Sequence, residues 1–343
     1  MRDWFITHYS GIFLTLLLGI AAMAISLRYS APVMLFAVLI GLALRPLYDS
    51  EAIQSGVNWC ARPLLLTGVA LLGFRVDLGM ISDIGWMVPA IVLSCLILTI
   101  LAGSLLARWL GLSSQFGVLI GGSVAICGVS AAVAISSSLP KSKTTERELA
   151  LTIAGVTAMS TLAMILYPII SELLSHTDMQ AGVFIGASIH DVAQVVGAGY
   201  SVSEDAGDTA TFVKLIRVSG LLPVVLFIGL LYGVRTHNTQ ASESIVTSNE
   251  SSTTLRNVWG YFPPFLIAYM IIACVNSTGF LPNYVVEFGI DCSRFFLIVS
   301  LVAIGLKTNL KDVASVGREP LITLVLTTAF MAMIALGAIA IFF

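Results

Sequence analysis

Three strongly polar residues, His190, Asp191 and Gln194, stand within five positions of an otherwise apolar and small-residue stretch that begins at Gly186-Ala187-Ser188. Such groups are expensive inside hydrocarbon and by default mark a functional site. His190 changes charge near neutral pH, and Asp191 beside it is placed to share or tune a proton. A second stretch, Gly121-Gly122-Ser123-Val124-Ala125-Ile126-Cys127-Gly128-Val129-Ser130, is rich in small residues, hydroxyls and a thiol. Its glycines allow a tight turn or close helix approach, and its amides and hydroxyls can hold an anion. Gly122, Ser123, Cys127, Gly128, Ser130, Ser188 and Gln194 are therefore candidate substrate-binding residues, with His190 and Asp191 as candidates for proton or ion coupling.

Two arginines add a charge argument. Sliding the C-terminal part back by 232 positions lays Cys292-Ser293-Arg294 on Cys60-Ala61-Arg62, Pro264 on Pro32, Gly305 on Gly73, Leu310 on Leu78 and Gly317 on Gly85. Arg62 and Arg294 each precede their glycine by 11 residues, roughly 16 Å or half a bilayer at 1.5 Å per residue. Related by a pseudo-two-fold axis, the two guanidiniums would face one another across a cavity and repel unless an anion lies between them. Arginine suits bidentate capture of an oxyanion. Asn58, four residues before Arg62, shares its face. The competing reading for Arg294 is a local salt bridge to Asp291. Lys214 and Arg217 read as snorkelling side chains at a membrane boundary, with Arg217 kept as a secondary site candidate.

The elements that must position these groups are membrane helices. Of 343 residues only 10% are charged, against about 25% in an ordinary globular chain, and 57% are hydrophobic. Mean hydropathy is +0.97. This composition excludes a soluble enzyme, a disordered chain and a nucleic-acid binder. The five cysteines are odd in number and show no CxxC spacing, so neither a disulfide framework nor a metal site is expected. Cofactors are not expected either.

Apolar segments fall near 10–27, 30–44, 52–74, 84–107, 114–138, 148–173, 179–199, 211–234, 258–279, 284–306 and 319–342. A polar stretch from Arg235 to Arg256 reads as a flexible loop. Gln115–Ser123 also resembles Gln180–Ser188 at an offset of 65. If the two Gly-rich segments enter and leave on one side, nine helices span and every matched pair becomes inverted. One side then collects Arg2, Arg45, Arg108, Lys141, Lys143, Arg147, Arg235, Arg256, Lys307, Lys311 and Arg318, and the other only Arg28 and Arg75. The positive-inside rule favours that arrangement, with the N-terminus cytoplasmic and the C-terminus periplasmic.

The predicted fold is an all-α polytopic membrane protein of about 9–11 transmembrane segments, an inverted repeat with two Gly-rich re-entrant or broken helices. Its parts are an extra N-terminal helix over 1–28, a first repeat over 29–175 and a second over 176–343 containing the flexible polar loop 235–256.

Gly-Gly-Ser-Val-Ala-Ile-Cys-Gly-Val-Ser-Ala-Ala at 121–132, Ser-Ile-His-Asp-Val-Ala-Gln-Val-Val-Gly-Ala at 188–198 and Leu-Leu-Gly-Phe-Arg-Val-Asp-Leu at 71–78 resemble the YeiH-type family of bacterial inner-membrane proteins. That resemblance covers nearly the whole chain and implies an exporter of sulfate or related sulfur oxyanions. The helix-loop pattern is also distantly similar to sodium/proton antiporter and bile-acid carrier folds, and to carriers with re-entrant hairpins. The expected function is a secondary active transporter of a small anion, such as a sulfur oxyanion or sulfonate, working by alternating access with proton coupling. The alternatives are a cation/proton antiporter using Asp191, an uncoupled anion channel, and an intramembrane enzyme with Ser123, Cys127 or Ser130 as nucleophile and His190 as base. Expected partners are the anion, the lipid bilayer, a coupling proton or sodium ion and, for a homodimer, a second copy of the chain.

Overall fold

The computed structural model describes residues 2–29, 32–76, 86–140, 145–240, 264–308 and 317–343. Among these residues the regular structure is all helical: α1 (Arg2–Tyr29), α2 (Val33–Ala43), α3 (Glu51–Trp59), α4 (Leu65–Leu71), α5 (Met87–Trp109), α6 (Ser114–Ala125), α7 (Val129–Ser138), α8 (Thr145–Leu173), α9 (Asp178–Ser188), α10 (Val192–Val202), α11 (Glu204–Ser219), α12 (Leu221–Gln240), α13 (Pro264–Ser277), α14 (Asn283–Lys307) and α15 (Arg318–Phe342). Among the described residues, seven helical stretches are long and apolar enough to cross a membrane, one of them running continuously from Glu51 to Arg75 and another from Glu204 to Tyr232. The chain is an all-α, multi-pass membrane protein. Its outward-facing Leu, Ile and Phe side chains, such as Phe13, Leu101, Phe227 and Ile341, suit lipid rather than water.

Helix bounds follow local signals. Thr177 and Gln180 form a capping box that starts α9, and Ser113 caps α6 by accepting the Phe116 amide. Pro32 and Pro264 stand at the starts of α2 and α13. The offset of 232 seen in residue types recurs in these bounds: Glu51–Arg75 and Asn283–Lys307 begin and end 232 positions apart. Asp77, Leu78, Gly85, Asn309 and Leu310, and most of the expected flexible loop between Arg235 and Arg256, lie outside the described residues. The first six residues of that expected loop continue α12.

The helices form two bodies. In the first, α1 to α4 pack with α13 and α14; in the second, α5 to α12 pack with α15. Close approach inside the first body uses glycine against glycine. A Cβ on Gly41 would stand 2.4 Å from the Val302 carbonyl oxygen and 2.8 Å from the Gly305 Cα. The main contact between the bodies is made by α10, which lies against α2 and α14.

Both Gly-rich segments are hairpins. A Cβ on Gly122 would stand 2.3 Å from Cδ1 of Ile135. Thirteen residues in one straight helix would separate those positions by about 20 Å, so α7 folds back on α6. In the second, Gly182 and Gly199 both face the Ala206 carbonyl, at 2.9 and 3.2 Å from their would-be Cβ atoms. The arms α9 and α10 therefore return to the same end of α11. The second hairpin lies along α11, whereas α7 packs on α12, so the two hairpins approach from opposite ends and meet at their tips. Arms of 11 or 12 residues reach about 17 Å, roughly half of a 30 Å hydrocarbon layer.

Candidate functional site

Each hairpin tip is a helix end followed by a helix start. At the first tip, Ile126, Cys127 and Gly128 join α6 to α7, and Gly128 has φ +63° and ψ −117°, a conformation costly for any residue with a Cβ. At the second, Ile189, His190 and Asp191 join α9 to α10, with Ile189 and Asp191 extended on either side of a bend at His190, and the Asp191 carboxylate caps α10 by accepting the Ala193 amide at 2.9 Å. The tips touch: the Gly128 Cβ position is 3.7 Å from the His190 Cβ.

The last carbonyls of α6 and α9 lack partners in their own helices and carry the negative ends of two helix dipoles. Two cations on one face of α11 satisfy them. Lys214 Nζ donates to the Ile126 oxygen at 2.6 Å and to the Ile189 oxygen at 2.9 Å. Arg217 donates from Nε to Ala125 (2.9 Å), from Nη2 to Val124 (2.9 Å) and Ala125 (2.7 Å), and from Nη1 to Ile189 (2.8 Å) and Gly186 (3.2 Å). Both side chains are completely or almost completely buried. They are not snorkelling residues at a boundary, as the sequence reading had them. That reading began the helix at 211, whereas Ser203 caps it and the acidic residues Glu204 and Asp205 form its first turn. Lys214 consequently lies about 15 Å inside, ten residues from the helix start.

Around this crossing the candidate residues divide. His190 is fully buried, with Nε2 3.0 Å from Thr328 Oγ1 on α15. Asp191 donates its amide to Ser160 Oγ at 3.1 Å, and Gln194 donates Nε2 to Thr161 Oγ1 at 2.9 Å, both on α8. The Gln194 Oε1 is buried without a partner among the described residues. Ser123 and Ser188 spend their hydroxyls on Leu119 and Phe184 of their own helices. Gly122 is packed under Ile135, Cys127 is buried in the first tip, and Ser130 is exposed on the first turn of α7. The N-terminus of α7 has no side-chain cap.

Arg62 is exposed and sits in a π-helical turn, Cys60–Leu64, opened by Pro63, close enough to act electrostatically on Asp191 and Lys307. Asn58, also exposed, accepts a hydrogen bond from the Tyr48 hydroxyl at 3.1 Å. Arg294 has different company. Its Nη2 lies 3.4 Å from Glu204 Oε1, and not against Asp291. The other Glu204 oxygen lies 2.5 Å from Arg75 Nη1. Of the two repeat-related arginines, Arg294 is paired with Glu204, and Arg62 has no ion pair among the described residues.

The sequence profile of a family described as "Conserved hypothetical protein 698" matches residues 10–324. The chain belongs to that family. Members of the family bear the label UPF0324, and the chain is similar to several. It is 41% identical to the UPF0324 membrane protein CT0845 of Chlorobaculum tepidum over 333 residues, covering 97% of this chain and 89% of the relative. With the UPF0324 membrane protein TauZ of Paracoccus denitrificans the identity is 40% over 325 residues, 94% of this chain and 92% of the relative. With RB0971 of Rhizobium meliloti it is 39% over 331 residues, 96% and 92%. The expected YeiH-type membership is consistent with this family. No solved structure matches the chain. The UPF0324 relatives are named as membrane proteins, in agreement with the seven apolar spans.

Sequence reasoning gave no site role to Lys214, Arg75, Glu204 or Asp208. For Lys214 a signal was present: Ser203 followed by acidic residues is an N-cap pattern that moves the helix start back and the lysine inward.

Proposed function

We propose that the protein is a secondary active transporter of a small anion, alternating access between its two bodies around the hairpin tips. The observation that carries this reading is the meeting of two opposed helical hairpins on the buried Lys214 and Arg217. Irregular backbone at membrane depth is tolerated where it lines a cavity or is buried in protein, and interrupted helices of this kind place substrate sites near the midplane of carriers.

An anion is favoured by the charges left over once the carbonyls are satisfied. The N-terminus of α7, whose N-cap Gly128 supplies no side-chain cap, presents the positive end of a helix dipole, Ser130 offers a hydroxyl, and Arg62 a guanidinium without an ion pair among the described residues. The family resemblance adds a sulfur oxyanion or sulfonate as the class to try first. Within this proposal the inverted repeat relates the two hairpins, His190 and Asp191 serve proton coupling, and the N-terminus is cytoplasmic in a bacterial inner membrane.

A thermal-shift panel of sulfate, sulfite, thiosulfate, sulfonates, bicarbonate and carboxylates on the purified protein is the test. Stabilisation by one class, lost in Arg62→Ala, is the expected result; equal stabilisation of wild type and Arg62→Ala overturns the site. The second reading, a cation/proton antiporter, draws on the Asp191 carboxylate and the unpartnered Gln194 Oε1 one helical turn away. Vesicles loaded with a pH-sensitive dye separate the two: proton movement driven by a sodium gradient alone, with no anion dependence, selects the antiporter.

A further inference from the structure

The Arg75–Glu204–Arg294 group lies outside the hairpin tips, at the other end of α11. Arg75 and Arg294 belong to the first body, Glu204 and Asp208 to the second. Arg75 is held in place from its own side, because Asn276 Nδ2 donates to the carbonyls of Phe74 (2.9 Å) and Val76 (3.1 Å) that flank it. Its guanidinium lies 5.5 Å from the centre of the Tyr200 ring and 3.3 Å from Asp208 Oδ2, while the Tyr200 hydroxyl donates to the other Asp208 oxygen. Arg75 and Asp208 are mostly covered, at 15% and 18% exposure, whereas Glu204 and Arg294 are half exposed, at 50% and 51%.

A single carboxylate thus bridges two guanidiniums, one oxygen to each, in the wall of a cavity of about 200 Å³. That is also the geometry by which a free oxyanion spans two arginines. Glu204 stands in the first turn of its helix and is half exposed, so it can swing out without leaving a buried charge behind. Its departure leaves Arg75 and Arg294 against Asp208 alone, a net positive site of suitable size, with Tyr200 and Ser203 in the same wall.

We propose that Arg75 and Arg294 form an anion-binding station, separate from the hairpin tips, that is occupied in this conformation by the tethered carboxylate of Glu204. A small tetrahedral oxyanion competes with Glu204 for the station. Since Glu204 joins the second body to the first, an arriving anion both binds and releases one of the links at that end of the interface, with the Arg75–Asp208 pair remaining. The anion binding stands without the carrier reading; the release step rests on it.

The test uses the full chain in detergent, with inorganic sulfate as the probe and ionic strength held constant with gluconate. Glu204→Gln removes the tethered competitor, whose effective concentration is in the millimolar range, and is expected to lower the apparent Kd for sulfate by about tenfold. Asp205→Asn, next to it in the same helix turn but outside the group, is expected to leave the affinity unchanged. Glu204→Gln combined with Arg294→Ala is expected to lose the gain. The interface is read with Met34→Cys, a buried residue of the cavity wall, in a chain lacking its five native cysteines; sulfate should speed its reaction with a water-soluble maleimide, and Glu204→Gln should speed it without sulfate. Unchanged sulfate affinity in Glu204→Gln, or a gain that persists without Arg294, overturns the station. If Arg62→Ala abolishes sulfate stabilisation in the Glu204→Gln background as well, all binding belongs to the central site, and the station fails while the carrier reading stands. If Arg62→Ala leaves the tenfold gain intact, the station stands alone.

Discussion

Lys214 and Arg217 differ from Arg62 and Arg294 in what their donors do. The first pair is fully enclosed, and its hydrogen bonds run to the ends of α6 and α9. The second pair is exposed, one arginine without an ion pair among the described residues and the other bonded to a half-exposed carboxylate at 3.4 Å. A cation whose donors are consumed by carbonyls holds the fold together. A cation with donors to spare, at a boundary between two bodies, is available to something that comes and goes.

Substitutions sharpen that contrast. Arg217→Leu should have the largest effect, since it strips this donor from the carbonyls of Val124, Ala125 and Gly186 at once and leaves Ile189 to Lys214 alone; a loss of about 3–5 kcal/mol is expected from several unsatisfied buried acceptors, seen as a failure to recover monodisperse protein or a fall of many degrees in Tm. Lys214→Met uncovers the Ile126 oxygen and leaves the Ile189 oxygen to Arg217 alone, and should cost about 2–3 kcal/mol, with the Tm in detergent as the measurement. Gly128→Ala places a Cβ in a backbone conformation reserved for glycine and should cost about 1–3 kcal/mol on the same scale. Ser203→Ala removes the cap that accepts the Ala206 amide and should cost about 1 kcal/mol. Arg62→Ala is expected to move the Tm least, within the roughly 0.5 kcal/mol scatter of surface changes, while abolishing anion-dependent stabilisation. A large Tm loss in Arg62→Ala, or a mild one in Arg217→Leu, would break the distinction between the two pairs.

Much of the fold was legible in the sequence because its signals are local. Apolar length marked Glu51–Arg75, Asn283–Lys307 and Arg318–Phe342 within a few residues, and glycine content marked both interruptions. Val33–Ala43 is shorter than the apolar stretch around it, since Pro32 stands outside the helix as its N-cap. Pairing of charges was not legible. Glu204 and Arg294 are far apart in the chain, and nothing local distinguishes Glu204 from Asp205, its exposed neighbour. The depth of Lys214 and Arg217 depended on where one helix starts, and seven residues of misplacement turned a buried clamp into a boundary feature. Asp191 and His190 were found because polar groups in an apolar run are rare, a signal of composition rather than of contact.

The carbonyl clamp has a consequence for how the chain enters a membrane. The hairpins α6–α7 and α9–α10 precede α11 in the chain, so their frayed ends reach the bilayer before the side chains that satisfy them have been synthesised. Helix α11 in turn carries a lysine and an arginine near its middle, each unfavourable by about 2.5–3.5 kcal/mol for a helix inserted alone. Neither partner is at ease in lipid without the other. Biogenesis must therefore hold both hairpins in a sheltered place until α11 arrives, and a nascent chain truncated between Val202 and Glu204 should remain poorly integrated where one extended past Ser219 does not.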